Sequence, residues 1–490
     1  MSARPSRWTI IGLAVVLFGL TNLPWHLDDY DQAKQAFTSF EMVESGHWFY
    51  QHTPNWWVAT KPPLVGWISA GLYQVGRSWE LAWRLPSFLA AVALLALVMR
   101  AAAVYGPGPS LIAGCAFSFN LFTPRLASLV RTDLPLALAI GAIGILIWQK
   151  IRERTAWTFR DQVILFGLLS AAMLIKGPIV LAFLLPGILA VSWRSRRIGQ
   201  ANPAWNSWLP WLLSFLVFLL WVAGGILFVP EFTEHVVLRE FAGRFSEEVH
   251  RPQPFYFYLP HLLHRFAPWS LWLIALPFFW RAERRRKQDR PAADRWWERM
   301  SPETFWLLAW SLGGLLVMSC IPSKRIDRIF PIIPPLCLLL ARGVAKLQAQ
   351  PRWHRTVNTL GAVAIGFAIL STTIYSAQKT FTAYREHRDA FAQFGRAVVK
   401  EVDARKWRYA VIGGDDEGLV LYVRRTEFLE PDQGVAAWND GGLDALVVPE
   451  DELAEMLPQL RGREPKQIIR SEPAGRYRRR YVLLGPASLL

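Results

Sequence analysis

Long apolar runs separated by short polar loops restrict the fold of this chain more than any other feature. A helix needs about 20 mostly apolar residues to cross a bilayer. The first such run occupies 8–25 and follows the basic residues Arg4 and Arg7. A cleaved signal peptide is the alternative, but no small-x-small cleavage site follows the run and a charged loop begins at His26 instead. Hydrophobic side chains make up 52% of the chain, which is typical of a membrane protein.

The distribution of basic residues indicates how the spans are oriented. The net charge is +16, yet Lys and Arg lie in short loops and form no basic domain of the kind that binds nucleic acid. By the positive-inside rule the basic loops are cytoplasmic and the intervening loops lie outside, which predicts about eleven spans with the N-terminus inside. The predicted spans are 8–25, 82–104, 109–124, 133–149, 162–175, 178–193, 208–229, 267–281, 303–321, 328–342 and 357–376.

The chain changes character after Ser376, because polar and charged residues dominate from 385 to 484. Short β-type runs there alternate with helical patterns, and this alternation predicts a small α/β domain. We therefore expect a membrane domain over 1–376, with juxtamembrane helices at about 28–75, and a soluble outer domain over 377–490. The predicted elements of the tail are strands at 409–412, 445–448, 467–470 and 480–484 and helices at 389–404 and 450–460.

The first outer loop carries the first candidate site residues. Apolar residues recur at helical spacing from 33 to 43, which predicts an amphipathic helix lying on the membrane surface. Asp31 is at the start of this helix. Its carboxylate has three alternative roles there: it takes a proton from a hydroxyl acceptor, binds a metal, or caps the helix. Lys34, one turn later, binds an anion or pairs with Asp31. A second helix is predicted from Lys61 to Leu72 with Pro62 in its first turn, where amide groups attract anions.

The remaining outer loops gather cations despite the positive-inside bias. Two of the charged residues also have an ordinary explanation, since Lys176 in a tight outer turn reaches toward headgroups and the carboxylate of Asp133 caps the span that it precedes. Together the basic residues of these loops provide the excess of positive charge that a phosphate-bearing substrate requires. The candidate phosphate-binding residues of these loops are Arg131, Lys176, His250, Arg251 and Lys324.

Several short motifs follow one another in order along residues 8–345. They are the segment from Asp31 to Trp48, Lys61-Pro62-Pro63, Arg84-Leu85-Pro86, Arg131-Thr132-Asp133, Lys176-Gly177-Pro178, the run from Arg251 to Tyr258, and Ser323-Lys324 followed by Pro331 and Pro334. This ordered set resembles the aminoarabinose lipid A transferase family, which belongs with the protein O-mannosyltransferases in the GT-C class of glycosyltransferases. The resemblance implies a GT-C fold in which the first outer loop covers a cavity for a lipid donor.

The activity that the resemblance implies is transfer of a sugar from a polyprenyl (undecaprenyl) phosphate, with inversion, at the outer face of the cell inner membrane. The implied acceptor is lipid A, another glycan or a protein. Gln32 and Thr60 stand where the family often has acidic residues, so no metal ligands are assigned, and a divalent metal stays open as a cofactor. Carried over by motif, Asp31, Lys61 and Asp133 are the catalytic candidates, and Lys176, His250 and Lys324 surround the donor phosphate. Lys34, Arg131 and Arg251 are further donor-phosphate candidates because of their positive charge in the outer loops.

Two other classes of function compete with this one. A transporter or lipid-linked sugar flippase predicts ionisable groups near the bilayer midplane and broken helices in matched halves. The charged residues here lie at the outer ends of the predicted spans, and no matched halves are evident. A membrane scaffold whose tail binds partners is the second alternative, and it predicts that changing Asp31 or Lys61 has no effect on function. The sequence defines neither the sugar nor the acceptor.

Overall fold

The computed structural model describes residues 7–27, 30–55, 57–199, 204–205, 207–242, 252–286, 297–298, 300–413, 416–473 and 479–487. Helices predominate among these residues, and the chain divides into two compact units. Unit 1 combines Met1–Thr21 with Arg84–Ser376, and unit 2 combines Asn22–Trp83 with Ala377–Leu490. Each unit is therefore assembled from two stretches that are distant in sequence.

The regular elements follow in chain order. The α-helices are α1 (Arg7–Leu20), α2 (Tyr30–Glu44), α3 (Leu64–Gly76), α4 (Trp79–Ala102), α5 (Pro107–Ser118), α6 (Thr123–Ala127), α7 (Asp133–Glu153), α8 (Phe159–Lys176), α9 (Ile179–Arg197), α10 (Leu209–Phe228), α11 (Tyr258–Arg265), α12 (Trp269–Arg286), α13 (Pro302–Cys320), α14 (Ile333–Gln348), α15 (Pro351–Arg385), α16 (Ala390–Arg405), α17 (Glu417–Tyr422), α18 (Pro431–Asn439) and α19 (Leu453–Met456). A π-helical segment covers Thr233–Ala242, and 3-10 segments cover Ala103–Tyr105, Phe255–Phe257, Ile326–Ile332 and Leu457–Gln459. The strands are β1 (Tyr409–Val411), β2 (Ala445–Pro449), β3 (Pro465–Arg470) and β4 (Tyr481–Pro486).

The helices of unit 1 include those expected to cross a membrane, and each predicted span overlaps one of the helices between α1 and α15. Seven helices of the described residues are long and apolar enough to span, and α1 and Trp269–Phe278 are shorter apolar helices. The chain is thus a polytopic α-helical membrane protein. The number of eleven stays a prediction, because α5 has only 12 residues and α8 carries charged residues at both ends.

Small residues let the helices of unit 1 approach closely around large aromatic rings. Trp148, Trp306 and Trp310 are fully buried, and the indole N–H of Trp306 donates to the carbonyl of Gly144 at 3.0 Å. A Cβ atom at Gly144 would collide with the ring of Trp310. In an apolar solvent such close packing, and not the hydrophobic effect, holds helices together.

A four-stranded sheet in the order β1-β2-β4-β3 forms the C-terminal part of unit 2. β1 and β2 are parallel, whereas β2–β4 and β3–β4 are antiparallel. Ile412, Trp438, Leu446 and Leu484 belong to the core between the sheet and its helices, which confirms the predicted α/β fold. The helix predicted at 450–460 is shorter than expected, since α19 ends at Met456 and is followed by a 3-10 turn. This turn contains Pro458, which has no amide hydrogen to continue the α-helical hydrogen bonds.

The first predicted outer loop also belongs to unit 2, and its helices differ from the sequence-based expectation. Four residues of the apolar stripe of α2, Ala33, Ala36, Phe37 and Phe40, are no more than 1% exposed, whereas Val43 is half-buried, and α2 packs against α3 and α17. The predicted contact of these four side chains with a membrane surface is therefore wrong, since protein covers them. α3 begins at Leu64, so Lys61 and Pro62 precede the helix and do not form its first turn.

Candidate functional site

Two of the predicted site residues form an ion pair at one end of α7 and α8. Asp133 is the first residue of α7 and Lys176 is the last of α8, where charges of these signs favour the helix ends. Lys176 Nζ lies 2.5 Å from Asp133 Oδ1, and the side chains are 11% and 9% exposed. Gly177 ends α8 with φ of +71°, a conformation that glycine adopts without a Cβ penalty. The chain therefore turns immediately after the lysine.

Asp327 lies in the 3-10 segment Ile326–Ile332 and forms ion pairs with two arginines that precede α7 in the sequence. Its carboxylate accepts from Arg131 Nη1 at 2.9 Å and from Arg125 Nη1 at 3.4 Å. The side chains of Asp327 and Arg131 are 7% and 11% exposed, whereas that of Arg125 is 25% exposed, so water reaches the Arg125 end of this ion-pair network more readily. The sequence analysis includes Arg131 among the phosphate-binding candidates but does not include Asp327. The sequence signal for a role of Asp327 is its position three residues after Lys324.

Lys324 and Arg328 flank Asp327 and are held by carbonyl groups. Lys324 Nζ donates to the carbonyl of Gln253 at 2.9 Å, and burial lowers the pKa of Lys324. Arg328 Nη1 donates to the carbonyl of Ser323 at 2.6 Å. Ion pairs and sequence neighbours thus connect a group of residues that we call the cationic cluster: Arg125, Arg131, Asp133, Lys176, Lys324, Asp327 and Arg328.

The cationic cluster contains more positive than negative charge. Five of its side chains are basic and two are carboxylates, and hydrogen bonds hold all of these groups in place. Preplaced cations in a partly dehydrated site bind phosphate oxygens and stabilise negative charge that develops during a reaction. The arrangement is therefore suited to an anionic group.

The other predicted site residues lie in unit 2. Asp31 is in the first turn of α2, and Lys34 Nζ lies 5.8 Å from the ring centroid of Tyr30. Burial raises the pKa of Glu417 in α17 to about 7, and the charge of Lys34 partly opposes this rise. Lys61 is half-buried in the turn before α3. The structure thus places Asp31, Lys34 and Lys61 in one unit and the cationic cluster in the other.

His250 and Arg251, which the sequence also selects, lie outside the described residues. Of the remaining candidates, Asp133 and Lys176 pair directly although they come from separate loops, and Arg131 pairs with Asp327, three residues after Lys324. Their catalytic and binding roles stay predictions.

The fold and the cluster define a class: a polytopic helical membrane protein with a small α/β domain and concentrated positive charge among the loops of its helical bundle. The solved structure of ArnT from Cupriavidus metallidurans bound to undecaprenyl phosphate has the same fold, with a TM-score of 0.70 over 98% of both chains and 18% identity. The apo structure of that protein gives a TM-score of 0.64 with 16% identity. No protein-family model matches the chain.

Sequence relatives agree with the structural likeness. The chain is 26% identical over 371 residues to the undecaprenyl phosphate-alpha-4-amino-4-deoxy-L-arabinose arabinosyl transferase of Edwardsiella ictaluri, covering 73% of this chain and 63% of that protein. It is 27% identical over 363 residues to a protein of the same description from Sodalis glossinidius, covering 68% of this chain and 58% of that protein. The chain therefore spans less than two thirds of the length of these curated relatives. The predicted fold class and the resemblance to aminoarabinose lipid A transferases are confirmed.

Proposed function

We propose that this protein is a glycosyltransferase that takes a pentose or hexose from undecaprenyl phosphate, or a similar polyprenyl phosphate, and transfers it to lipid A or another outer glycan or protein. One observation carries the proposal. The cationic cluster, with its fixed lysine and arginine groups, occurs in a fold that matches a solved protein bound to undecaprenyl phosphate.

The reaction is a displacement at the anomeric carbon of the donor sugar. The acceptor oxygen forms the new glycosidic bond, the bond to the phosphate oxygen breaks, and the electron pair leaves with the polyprenyl phosphate. Direct attack opposite the leaving group inverts the anomeric configuration. Lys61, Lys176 and Lys324 stabilise the charge that grows on the phosphate, because fixed cations need no reorganisation as the bond breaks.

The remaining candidates assist at the two ends of this displacement. Arg131, Lys34, His250 and Arg251 bind the donor phosphate, and Asp133 orients Lys176 through their ion pair. Asp31 takes the proton of a hydroxyl acceptor. Where the acceptor is itself a phosphate, as on a lipid A phosphate group, its oxygen is already charged and Asp31 orients the acceptor.

The protein lies in the cell inner membrane with its N-terminus in the cytoplasm. The membrane domain covers 1–376, and the α/β domain over 377–490 is periplasmic, as are the helices at about 28–75. The placement of basic loops along the sequence supports this topology. It puts the donor, the acceptor and the cationic cluster on the same side of the bilayer.

The test is transfer of radiolabelled sugar from synthetic undecaprenyl phosphate donors to lipid A in proteoliposomes that contain the full chain. We expect transfer by the parent and at least a tenfold loss with Asp31→Asn or Lys61→Met. Glu44→Gln is the matched control for Asp31, since it removes an exposed carboxylate from the other end of α2. Movement of intact donor across the bilayer without transfer would favour a flippase. Neither transfer nor donor movement by the parent would favour a scaffold, and full transfer by both variants would remove Asp31 and Lys61 from the site.

A further inference from the structure

Glu41, His47 and His52 form a group of metal-binding residue types in unit 2 that the proposed reaction does not use. Glu41 lies in the last turn of α2, and the two histidines follow in the loop that leads toward α3. One potential ligand atom from each residue lies within 4.8 Å of the other two. The motif from Asp31 to Trp48 contains Glu41 and His47 but not His52, and the resemblance gives no role to any of these three side chains.

One of the two measured separations within the group equals that of ligand atoms in a zinc site, and the other is about 0.5 Å shorter. His47 Nδ1 is 2.8 Å from Glu41 Oε1, and His52 Nδ1 is 3.3 Å from the same oxygen. Bonds of about 2.0–2.1 Å from zinc to nitrogen and oxygen in a tetrahedral arrangement separate the ligand atoms by about 3.3–3.4 Å. The imidazole rings are 5.6 Å apart and inclined at 73°, so both present Nδ1 to one region without stacking.

The surrounding structure already holds the three side chains in place. The backbone N–H of His52 donates to the second oxygen of Glu41, whose side chain is 5% exposed. His52 is paired with Val58 in a β-bridge, and the amide of Ala59 donates to the carbonyl of Gln51 at 2.7 Å. The Gln51 side chain donates to the carbonyl of His47 at 2.9 Å. Ligand positions are thus fixed by the fold before any ion binds, which lowers the cost of binding.

Hydrogen bonds from the two imidazoles to the carboxylate are the alternative explanation of this group. That explanation requires both histidines to direct an Nδ1–H at one oxygen. A divalent ion instead accepts lone pairs from both Nδ1 atoms and from the carboxylate, which leaves each Nε2–H to donate elsewhere. His47 is the most exposed of the three side chains, at 46%, so water reaches this side of the group.

We propose that Glu41, His47 and His52 bind one zinc ion, or a divalent transition ion of similar preference, with water in the fourth position. Two imidazoles and one carboxylate suit such ions better than magnesium or calcium, which prefer oxygen ligands alone. The role of the ion is structural: it fastens the loop at 46–59 to the end of α2. Because Lys61 follows this loop, the ion also stabilises the segment that carries that residue.

The test uses the full chain in nanodiscs, purified without a histidine tag, stripped with EDTA and then incubated with zinc chloride. Zinc is counted by mass spectrometry after gel filtration, and thermal unfolding is followed with and without the ion. We expect one zinc per chain, with the loss of at least tenfold in zinc affinity for His47→Ala, His52→Ala and Glu41→Gln. His354→Ala is the control, because it removes an exposed histidine that lies outside the group.

Glu41→Gln keeps a carbonyl oxygen to accept from the N–H of His52, so its fold is retained while a charged ligand is lost. Zinc should raise the unfolding temperature of the parent and of His354→Ala, and leave that of the doubly substituted His47→Ala/His52→Ala protein unchanged. Equal zinc content in the parent and the double variant would overturn the proposal, as would a parent that binds no zinc. Both results are independent of glycosyl transfer.

Discussion

Lys176 and Asp133 form an ion pair of 2.5 Å across the interface of α7 and α8, and these two helices carry a second pair at their opposite ends. There, Lys150 Nζ lies 2.6 Å from Asp161 Oδ2, and the lysine side chains of the two pairs are similarly buried, at 11% and 12% exposed. Both pairs join a lysine to an aspartate, but they lie at opposite ends of the two helices. The pair of Lys150 and Asp161 therefore serves as an internal control for the pair of Lys176 and Asp133.

The first prediction uses that control to separate function from stability. Lys176→Met should reduce glycosyl transfer by at least 100-fold, because it removes a cation assigned to the leaving phosphate, whereas Lys150→Met should retain transfer within threefold. Both changes break one helix–helix ion pair, so both should lower the unfolding temperature by similar amounts. Transfer assays and thermal unfolding are measured on the same preparations. Equal loss of transfer in both variants would assign Lys176 a structural role.

The second prediction concerns the carboxylate shared by Arg125 and Arg131. Asp327→Asn leaves the two guanidinium groups without their common counter-charge in a buried position, and we expect a loss of about 3 kcal/mol in stability. The measurement is denaturation of the purified protein in detergent. The double variant Arg131→Met/Asp327→Asn should recover part of this loss, since it removes one of the unbalanced charges. A double variant with the summed loss of the single variants would indicate that the two residues act independently.

The third prediction concerns the dependence of unit 2 on pH. Burial raises the pKa of Glu417 from 4.5 to about 7, so the folded chain keeps a proton that the unfolded chain releases. Unit 2 should therefore lose stability as the pH rises from about 4.5 to 7. Glu417→Gln removes this dependence and should stabilise α17 above pH 7 by up to about 3 kcal/mol.

Hydrogen exchange of α2 and α17, compared between the parent and Glu417→Gln at pH 5 and at pH 8, measures this effect. The two proteins should exchange alike at the lower pH, and the variant should be better protected at the higher pH. Glu427→Gln is the control, because Glu427 is exposed in the same part of the chain. An equal change in both variants would mean that burial of Glu417 has no such effect.

The fourth prediction tests close helix packing around Trp310. Gly144→Ala places a methyl group against this ring and should destabilise the protein by about 1–3 kcal/mol. Gly167→Ala in α8 introduces the same atom where nothing lies within 4 Å, and it should be neutral or slightly stabilising. Thermal unfolding and expression level are the measurements. Similar behaviour of the two variants would mean that the helices of unit 1 adjust easily to added volume.

The elements of the fold were largely predictable from the sequence because their signals are local. Every predicted span overlaps a helix, and the four strands of the tail lie within a few residues of their predicted positions. Local signals also explain the errors at helix ends. The Lys61-Pro62-Pro63 motif predicts a helix start at Lys61, whereas the chain becomes helical from Leu64 onward.

Partners of side chains were not predictable in the same way. The sequence indicated that α2 has an apolar face but not that α17, which lies far along the chain, would cover it. It selected Asp133 and Lys176 separately, although nothing in either motif indicated that they pair. Asp327 and the group of Glu41, His47 and His52 were missed for the same reason, since their significance depends on distances between atoms.

The composition of unit 2 from Asn22–Trp83 and Ala377–Leu490 has a consequence for the order of biosynthesis. α2 leaves the ribosome early, and α17, which covers part of it, is made only after all of Arg84–Ser376. Gly418, which packs closely against the backbone of Leu27, is likewise synthesised long after that residue. A nascent chain interrupted at Ser376 would therefore carry Asp31 on a helix whose apolar face is incompletely covered. The last quarter of the polypeptide completes the assembly of a region encoded in its first hundred residues.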